Sequence, residues 1–381
     1  MNVLVVGAGA VGSMAVWQLT QQGHRVTVLE QFALDHDQGS SYGESRIVRR
    51  VYDDPFYTAL MAEAYELWDE LQAQWPREEL WRRSSGVFFG PASHPQIAAA
   101  RAALEASHVP YEQLSRAACQ ERFPALRLRE DEVALYEPSM GYARASRCVR
   151  AAVQLAQRAG AIFHEDTPVR DISTKGDLFR AQTEAGDTFE AERLLLCAGS
   201  WTGTLLGRVG LSLPLKVVRK TYIHLQPARH AEAFEVGRFP VWIDAATFAY
   251  GFPHLGVPGV KLAFHAGGES TDPDHVAREL REDERDQLRA YAAQRFPDLS
   301  RDIAHEKVCL YTNTPDEDFL VDAMPHWPGA FLVGGLSGHG FKFAPLLGRI
   351  AARLLTESAT HHDLSRFALA RLAPMTELAI T

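Results

Sequence analysis

The chain has 381 residues, 46% of them hydrophobic and 23% charged, with a formal net charge of −9. That is length enough for about two or three domains with a sizeable core, and the negative balance argues against non-specific binding to nucleic acid. It holds no apolar run of the roughly eighteen residues that a membrane span requires.

The first thirty residues, MNVLVVGAGAVGSMAVWQLTQQGHRVTVLE, carry the strongest signal. Val3 to Val6 is fully apolar, as befits a strand buried on both faces. Gly7, Gly9 and Gly12 follow in G-x-G-x-x-G spacing, Val11 to Leu19 reads as a helix, and Arg25 to Leu29 reads as a second strand that ends on Glu30. Gly7 permits a tight turn, Gly9 lets backbone approach a pyrophosphate, and Gly12 lets helix and strand pack closely. The helix N-terminus offers unpaired N–H groups to the phosphates, and Glu30 suits ribose hydroxyls while repelling the extra phosphate of NADP. The pattern predicts a dinucleotide site and leaves NAD and FAD both open. The apolar start is broken by these glycines and lacks a basic leading region, so it reads as the first strand and not as a signal peptide.

Further along, a loop through Gly39-Ser40-Ser41 and Gly43 leads to Arg46, Arg49 and Arg50, followed by a helix over Pro55–Gln74. Gly86 to Gly90 reads as a strand, Pro95 to Ala106 as a helix, and Ala134 to Tyr142 as a turn-rich connection through Pro138 and Gly141. Cys148 to Ala159 is helical. Ala161–Phe163, Val169–Thr174, Leu178–Thr183 and Arg193–Cys197 are strands, the last running into Ala198-Gly199. That ending suits either a plain strand end or a close approach to the cofactor. Between Pro214 and Ala266 short strands follow one another (Val217–Leu225, Val241–Asp244, Phe248–Phe252, Val260–His265), which predicts an antiparallel meander. A helix over Asp283–Arg295 comes next, with strands at Lys307–Tyr311, Phe319–Asp322 and Phe331–Val333. A glycine-rich loop over Gly334–Gly340 and a helix from Phe341 to Leu355 complete the pattern. The last unit looks like a return to the first domain, so the fold class predicted is α/β. A Rossmann-like FAD-binding domain (1–85, 143–213, 315–381) is interleaved with an antiparallel-sheet substrate domain (86–142, 214–314). Cys119, Cys148, Cys197 and Cys309 lie far apart with no CxxC, which excludes a thiolate zinc site, gives no metal centre and suits a reducing cytoplasm.

There is no second GxGxxG. If the cofactor is FAD, electrons should therefore pass between substrate and oxygen, or a protein acceptor. Three stretches narrow the choice: Gly39-Ser-Ser-Tyr-Gly-Glu-Ser-Arg-Ile-Val-Arg, Lys307-Val-Cys-Leu-Tyr-Thr-Asn-Thr-Pro-Asp-Glu-Asp-Phe, and Gly334-Gly-Leu-Ser-Gly-His-Gly-Phe-Lys-Phe. Together with the N-terminal fingerprint they resemble the monomeric sarcosine oxidase and N-methyltryptophan oxidase family of FAD-dependent amine oxidases, nearly end to end and in the same order.

The resemblance implies a flavin attached to Cys309, whose thiolate is the nucleophile such a link requires. It implies Arg46 beside the flavin, Arg49 and Lys342 holding a substrate carboxylate, and Lys261, Tyr250 and His265 in the catalytic region, with Lys261 serving oxygen. Gly338 and Gly340 suit a backbone close to the ring, and the helix after them points its positive end at that loop. The cofactor set implied is Gly7, Gly9, Gly12, Glu30, Ser40, Arg46, Val169, Ala198, Gly199, Cys309, Gly338, Gly340 and Lys342. The best-known members carry histidine where this chain has Tyr42, so no histidine role carries over there. The activity implied is oxidation of an N-methyl or cyclic secondary amino acid, by hydride transfer to flavin N5 and hydrolysis of the imine, with O2 reduced to H2O2. It would proceed in a cytoplasmic monomer without nucleic acid or membrane partners. An NAD-dependent dehydrogenase and a catalytically silent flavin-binding protein are the rival readings.

Overall fold

The computed structural model describes residues 1–372 and the short strand Thr376–Glu377. The end of the expected segment 315–381 therefore falls partly outside the described residues.

A six-stranded sheet is centred on Asn2–Val6, whose Val3, Leu4 and Val5 are buried. In spatial order its strands are Leu320–Ala323, Ala330–Gly334, Arg193–Leu196, Asn2–Val6, Arg25–Leu29 and Ile162–His164. All neighbours are parallel except the Leu320–Ala323 edge. The helices Ala10–Gln21, Ala145–Arg158 and Ala344–Glu357 pack on one another beside it. Gly12 lies where a Cβ would collide with the Gly7 carbonyl, and Gly348 where a Cβ would press on Met14 and Ala15. Helix, turn and neighbouring helix can come together only because those side chains are missing.

The second sheet has nine strands: Glu269–Ser270, Lys216–Pro227, Val260–Phe264, Ala249–Gly251, Val241–Asp244, Gly86–Pro91, Glu132–Glu137 and Glu112–Leu114 in order, with Leu299–Asn313 also paired to Lys216–Pro227. The meander is present from Val241 to Phe264, but the sheet is mixed, because Val241–Asp244 runs parallel to Gly86–Pro91. The expected connection over 134–142 is instead a strand, Glu132–Glu137, and a second short one, Gly141–Ala143. Pro138 marks only the bend between them, and the irregular burial along Glu132–Glu137 hid the strand period. Gly141–Ala143 pairs with Arg46–Val48 and Trp81–Arg83. That small sheet leads the arginine segment toward the space between the two large sheets.

Behind the nine-stranded sheet, Arg295 is buried and donates to Glu132 at 2.6 and 2.7 Å and to Asp244 at 3.0 Å. Tyr291 adds a hydrogen bond to Asp244 at 3.0 Å. The other Asp244 oxygen accepts from Ala246 N–H at 2.9 Å and shapes the turn that leads to Tyr250. One guanidinium shared between two carboxylates fastens the helix Glu282–Arg295 to the sheet. Arg295→Ala would leave two carboxylates buried without their cation, and should lose about 3–5 kcal/mol in urea unfolding.

Candidate active site

A cavity of about 980 Å³ lies between the two sheets and takes its walls from both. One end is the glycine turn. Gly7 has φ +100, and a Cβ there would strike the Cys197 carbonyl. Gly9 caps the helix Ala10–Gln21 without a side-chain cap, and both residues line the cavity. Glu30 closes this end. One of its oxygens accepts from Ala8 N–H at 2.7 Å and the other from Phe32 N–H at 3.2 Å. A carboxylate has acceptor sites left for hydroxyl donors. Val169, Ala198 and Gly199 (φ +54) form the adjoining wall.

At the other end, Arg49 and Lys342 meet across Tyr52. The Lys342 ammonium donates to the Tyr52 hydroxyl at 2.9 Å and to the His339 carbonyl at 2.6 Å. The Arg49 guanidinium lies 4.2 Å from the Tyr52 ring centroid and donates to the Val51 carbonyl. Burial, then Arg49, pushes the Lys342 ammonium well below the ordinary lysine range. Among the described residues no carboxylate pairs with either cation. Trp68 donates to the Lys342 carbonyl at 2.8 Å and fixes the turn Gly340–Phe343 on which Lys342 sits.

The nine-stranded sheet supplies the cover. Lys261 is buried on Val260–Phe264, donates to Ser45 Oγ at 3.1 Å and lies 4.0 Å from the Tyr222 ring centroid. Burial, then the charge of Arg46, brings it down to about 7. Arg46 is held by the backbone carbonyls of Ser40 and Tyr42 at 2.7 and 2.8 Å. His265 follows the strand end, with Nδ1 3.4 Å from the Tyr311 hydroxyl. Burial, then Lys220, depresses it to about 3, so its ring is neutral at any physiological pH. Tyr250 hydrogen-bonds Tyr311, and burial raises its phenol. Cys309 is a free, buried thiol in the same wall. Ser40 lines the cavity too, and its hydroxyl donates to the Leu310 carbonyl next to Cys309.

A sequence profile of the family described as DAO, FAD dependent oxidoreductase, matches residues 2–354. The chain belongs to the FAD dependent oxidoreductase family. Among its relatives, a monomeric sarcosine oxidase from Streptomyces avermitilis is 35% identical over 379 residues, covering 98% of each chain. An N-methyl-L-tryptophan oxidase from Escherichia coli is 29% identical over 381 residues, covering 97% of this chain and 99% of the other. A solved variant of NikD, an unusual amino acid oxidase essential for nikkomycin biosynthesis, matches with a TM-score of 0.86 and 27% identity, over 96% of each chain. The resemblance drawn from the sequence therefore holds, and FAD displaces NAD as the cofactor of this oxidoreductase. The cleft fits FAD on its own terms, with a glycine turn no side chain could enter, a helix N-terminus where a glycine cap leaves only the Ser41 hydroxyl on the Ala10 N–H, and an acid at the second strand's end.

Of the expected residues in this FAD dependent oxidoreductase, Gly7, Gly9, Glu30, Ser40, Arg46, Arg49, Val169, Ala198, Gly199, Tyr250, Lys261, His265, Cys309, Gly338, Gly340 and Lys342 all line the one cavity. Gly12 does not. It faces Gly7 and serves helix packing. Tyr42 also stands outside the lining, buried, with its hydroxyl on the Val308 carbonyl, one residue before Cys309. Sequence reading missed Tyr52, His339 and Tyr311, although the last two sit inside the quoted motifs. It also missed Lys220, whose ammonium donates to the carbonyls of His265, Ala266 and Gly267 at 2.7, 2.7 and 2.9 Å and so pins the loop carrying His265. Nothing short of strand register would have revealed it.

Lys261 makes a stability prediction. Unfolded, it holds its proton up to about 10.5; folded, only to about 7. Across that window the unfolded chain binds more protons, so this group's contribution to stability rises with pH. Lys261→Met should raise the unfolding midpoint of the flavin-free protein more at pH 6 than at pH 9 in thermal melts.

Proposed function

We propose that this protein is an FAD-dependent oxidase of secondary amino acids, N-methyl or cyclic, with oxygen as electron acceptor. The observation that carries the reading is the pair on Tyr52, a buried Lys342 and a half-buried Arg49, with no carboxylate paired to either among the described residues. Two unpaired cations with spare donors are a receptor for an anion, and a carboxylate matches the guanidinium fork. The names of the relatives, sarcosine oxidase and N-methyl-L-tryptophan oxidase, supply the amine half of the substrate.

FAD, when bound, would supply the redox chemistry: a two-electron acceptor for the hydride equivalent of the substrate carbon, with O2 reduced to H2O2 and the imine hydrolysed by water. The protein orients and neutralises. Arg49 and Lys342 anchor the carboxylate, and Tyr250 and His265 stand across the cavity as neutral hydrogen-bonding groups. Lys261 places a buried cation where negative charge develops when O2 is reduced; such preorganised charge lowers a barrier. Cys309 holds the flavin covalently, which its place in the cavity wall supports. Gly7, Gly9, Glu30, Ser40, Arg46, Val169, Ala198, Gly199, Gly338 and Gly340 form the rest of the cofactor site.

The two units are 1–85, 143–213 and 315–381 for FAD, and 86–142 and 214–314 for substrate. Every strand of the six-stranded sheet falls in the first set and every strand of the nine-stranded sheet in the second. The enzyme acts as a cytoplasmic monomer, a reading supported by four free, buried cysteines and by the relative named monomeric.

A peroxide-coupled screen over N-methyl and cyclic amino acids tests the whole reading; no peroxide with any of them would defeat it. In Cys309→Ser the flavin should become extractable by acid, whereas wild-type flavin should stay with the precipitated protein. Arg49→Ala should weaken carboxylate inhibitors by more than roughly tenfold at unchanged flavin content, the loss usual when one partner of a buried charge pair is removed. In stopped-flow, Lys261→Met should slow reoxidation by O2 about a hundredfold, roughly 3 kcal/mol of barrier, while reduction by substrate changes modestly.

A further inference from the structure

Glu137 is a carboxylate with no exposure, at the end of the strand Glu132–Glu137. Among the described residues it has no ion-pair partner. Its charge is met by backbone instead. Arg50 N–H donates to it at 3.0 and 3.2 Å, Val51 N–H at 3.0 Å, and the Ser139 hydroxyl at 2.6 Å. The neighbouring Arg50 guanidinium makes no ion pair with it and lies over the Tyr65 ring at 4.9 Å, near enough for its charge to favour the ionised carboxylate. Burying a carboxylate without a contacting cation is expensive, and burial raises its pKa. Three donors on two oxygens lock the two peptide planes that follow Arg49. The next carbonyl, that of Val51, receives the Arg49 guanidinium. Tyr52 comes directly after, with its ring against that guanidinium and its hydroxyl on Lys342.

We propose that Glu137 is a positioning residue for the substrate carboxylate, gripping the Arg50 and Val51 amides so that Arg49 and Tyr52 are aimed at Lys342 before substrate arrives. The proposal rests on the reading of Arg49 and Lys342 as the carboxylate site and adds the element that sets its geometry.

The test is a double-mutant cycle on the holoenzyme. Furan-2-carboxylate, a cyclic carboxylate with no amine to oxidise, is titrated against the flavin absorbance. Glu137→Gln, which keeps the side-chain volume and one acceptor, should weaken binding roughly tenfold, within the coupling range of groups that share one network. In an Arg49→Ala background the same change should have a clearly smaller effect, about threefold or less, because one of the two residues it acts through is gone and only the Tyr52–Lys342 contact remains. Equal weakening in both backgrounds, or none in either, overturns the proposal. Wild-type holoenzyme that does not bind furan-2-carboxylate overturns the carboxylate site itself, and the proposal with it; that result is distinct because it appears before any mutation. If Glu137→Gln does not fold, Ser139→Ala removes one donor from the carboxylate and should give the same background dependence at smaller amplitude. Its absence there is equally decisive.

Discussion

Everything around the cleft depends on positive charge, most of it buried, that no carboxylate pairs with among the described residues. Arg46 rests on backbone carbonyls, Lys261 on a serine hydroxyl and an aromatic ring, Lys342 on a phenol and a carbonyl, and Lys220 on three carbonyls. Dipoles hold these cations in place without cancelling them. Burial depresses the proton affinities of Lys220, Lys261 and Lys342. The Arg295 cluster is the counter-example in the same molecule, because there the cation meets two carboxylates and the result is a fastening. The contrast separates a cation paired within the fold from cations left without a carboxylate partner among the described residues.

Strand register explains how the second set is assembled. Lys220 stands opposite Cys309, Tyr222 opposite both Ala263 and Lys307, and Tyr250 opposite Ala263. Directly opposed residues share a face, as do residues two apart on one strand. One face of the mixed sheet therefore presents Cys309, Lys220, Tyr222, Lys261 and Tyr250 together. A one-residue slip of Lys216–Pro227 would turn Lys220 and Tyr222 to the opposite face.

The nucleotide half was legible in the sequence because its signals are local. Strand, turn, helix and terminal acid occupy thirty consecutive residues, and the helix expected over roughly 55–74 is present as Pro55–Gln74, capped by Asp54. The covering half was legible only through motif resemblance. Lys261, Tyr250 and His265 carry no local signature, and the two short strands flanking Pro138 were mistaken for a connection. What could not be read was support. Glu137, Ser45, Lys220 and Tyr52 matter through partners 87, 216, 45 and 290 residues away. Gly12 fits the packing role read from the motif, since its contacts are to Gly7 within the fold, and it stands outside the cavity lining despite its place in the expected cofactor set.

The order of strands in the parallel sheet has a consequence for how the molecule is made. Asn2–Val6 lies in the middle, flanked by Arg25–Leu29 on one side and by Arg193–Leu196 on the other, and the latter waits for Ala330–Gly334. A growing chain holds its glycine turn from the outset but lacks half the walls around it until nearly the whole polypeptide has left the ribosome. Such long-range pairings close slowly, and partly folded chains with open strand edges are prone to aggregate. Flavin capture is thus a late, post-translational event, and deletions at the distal end should be felt first as failure to load cofactor.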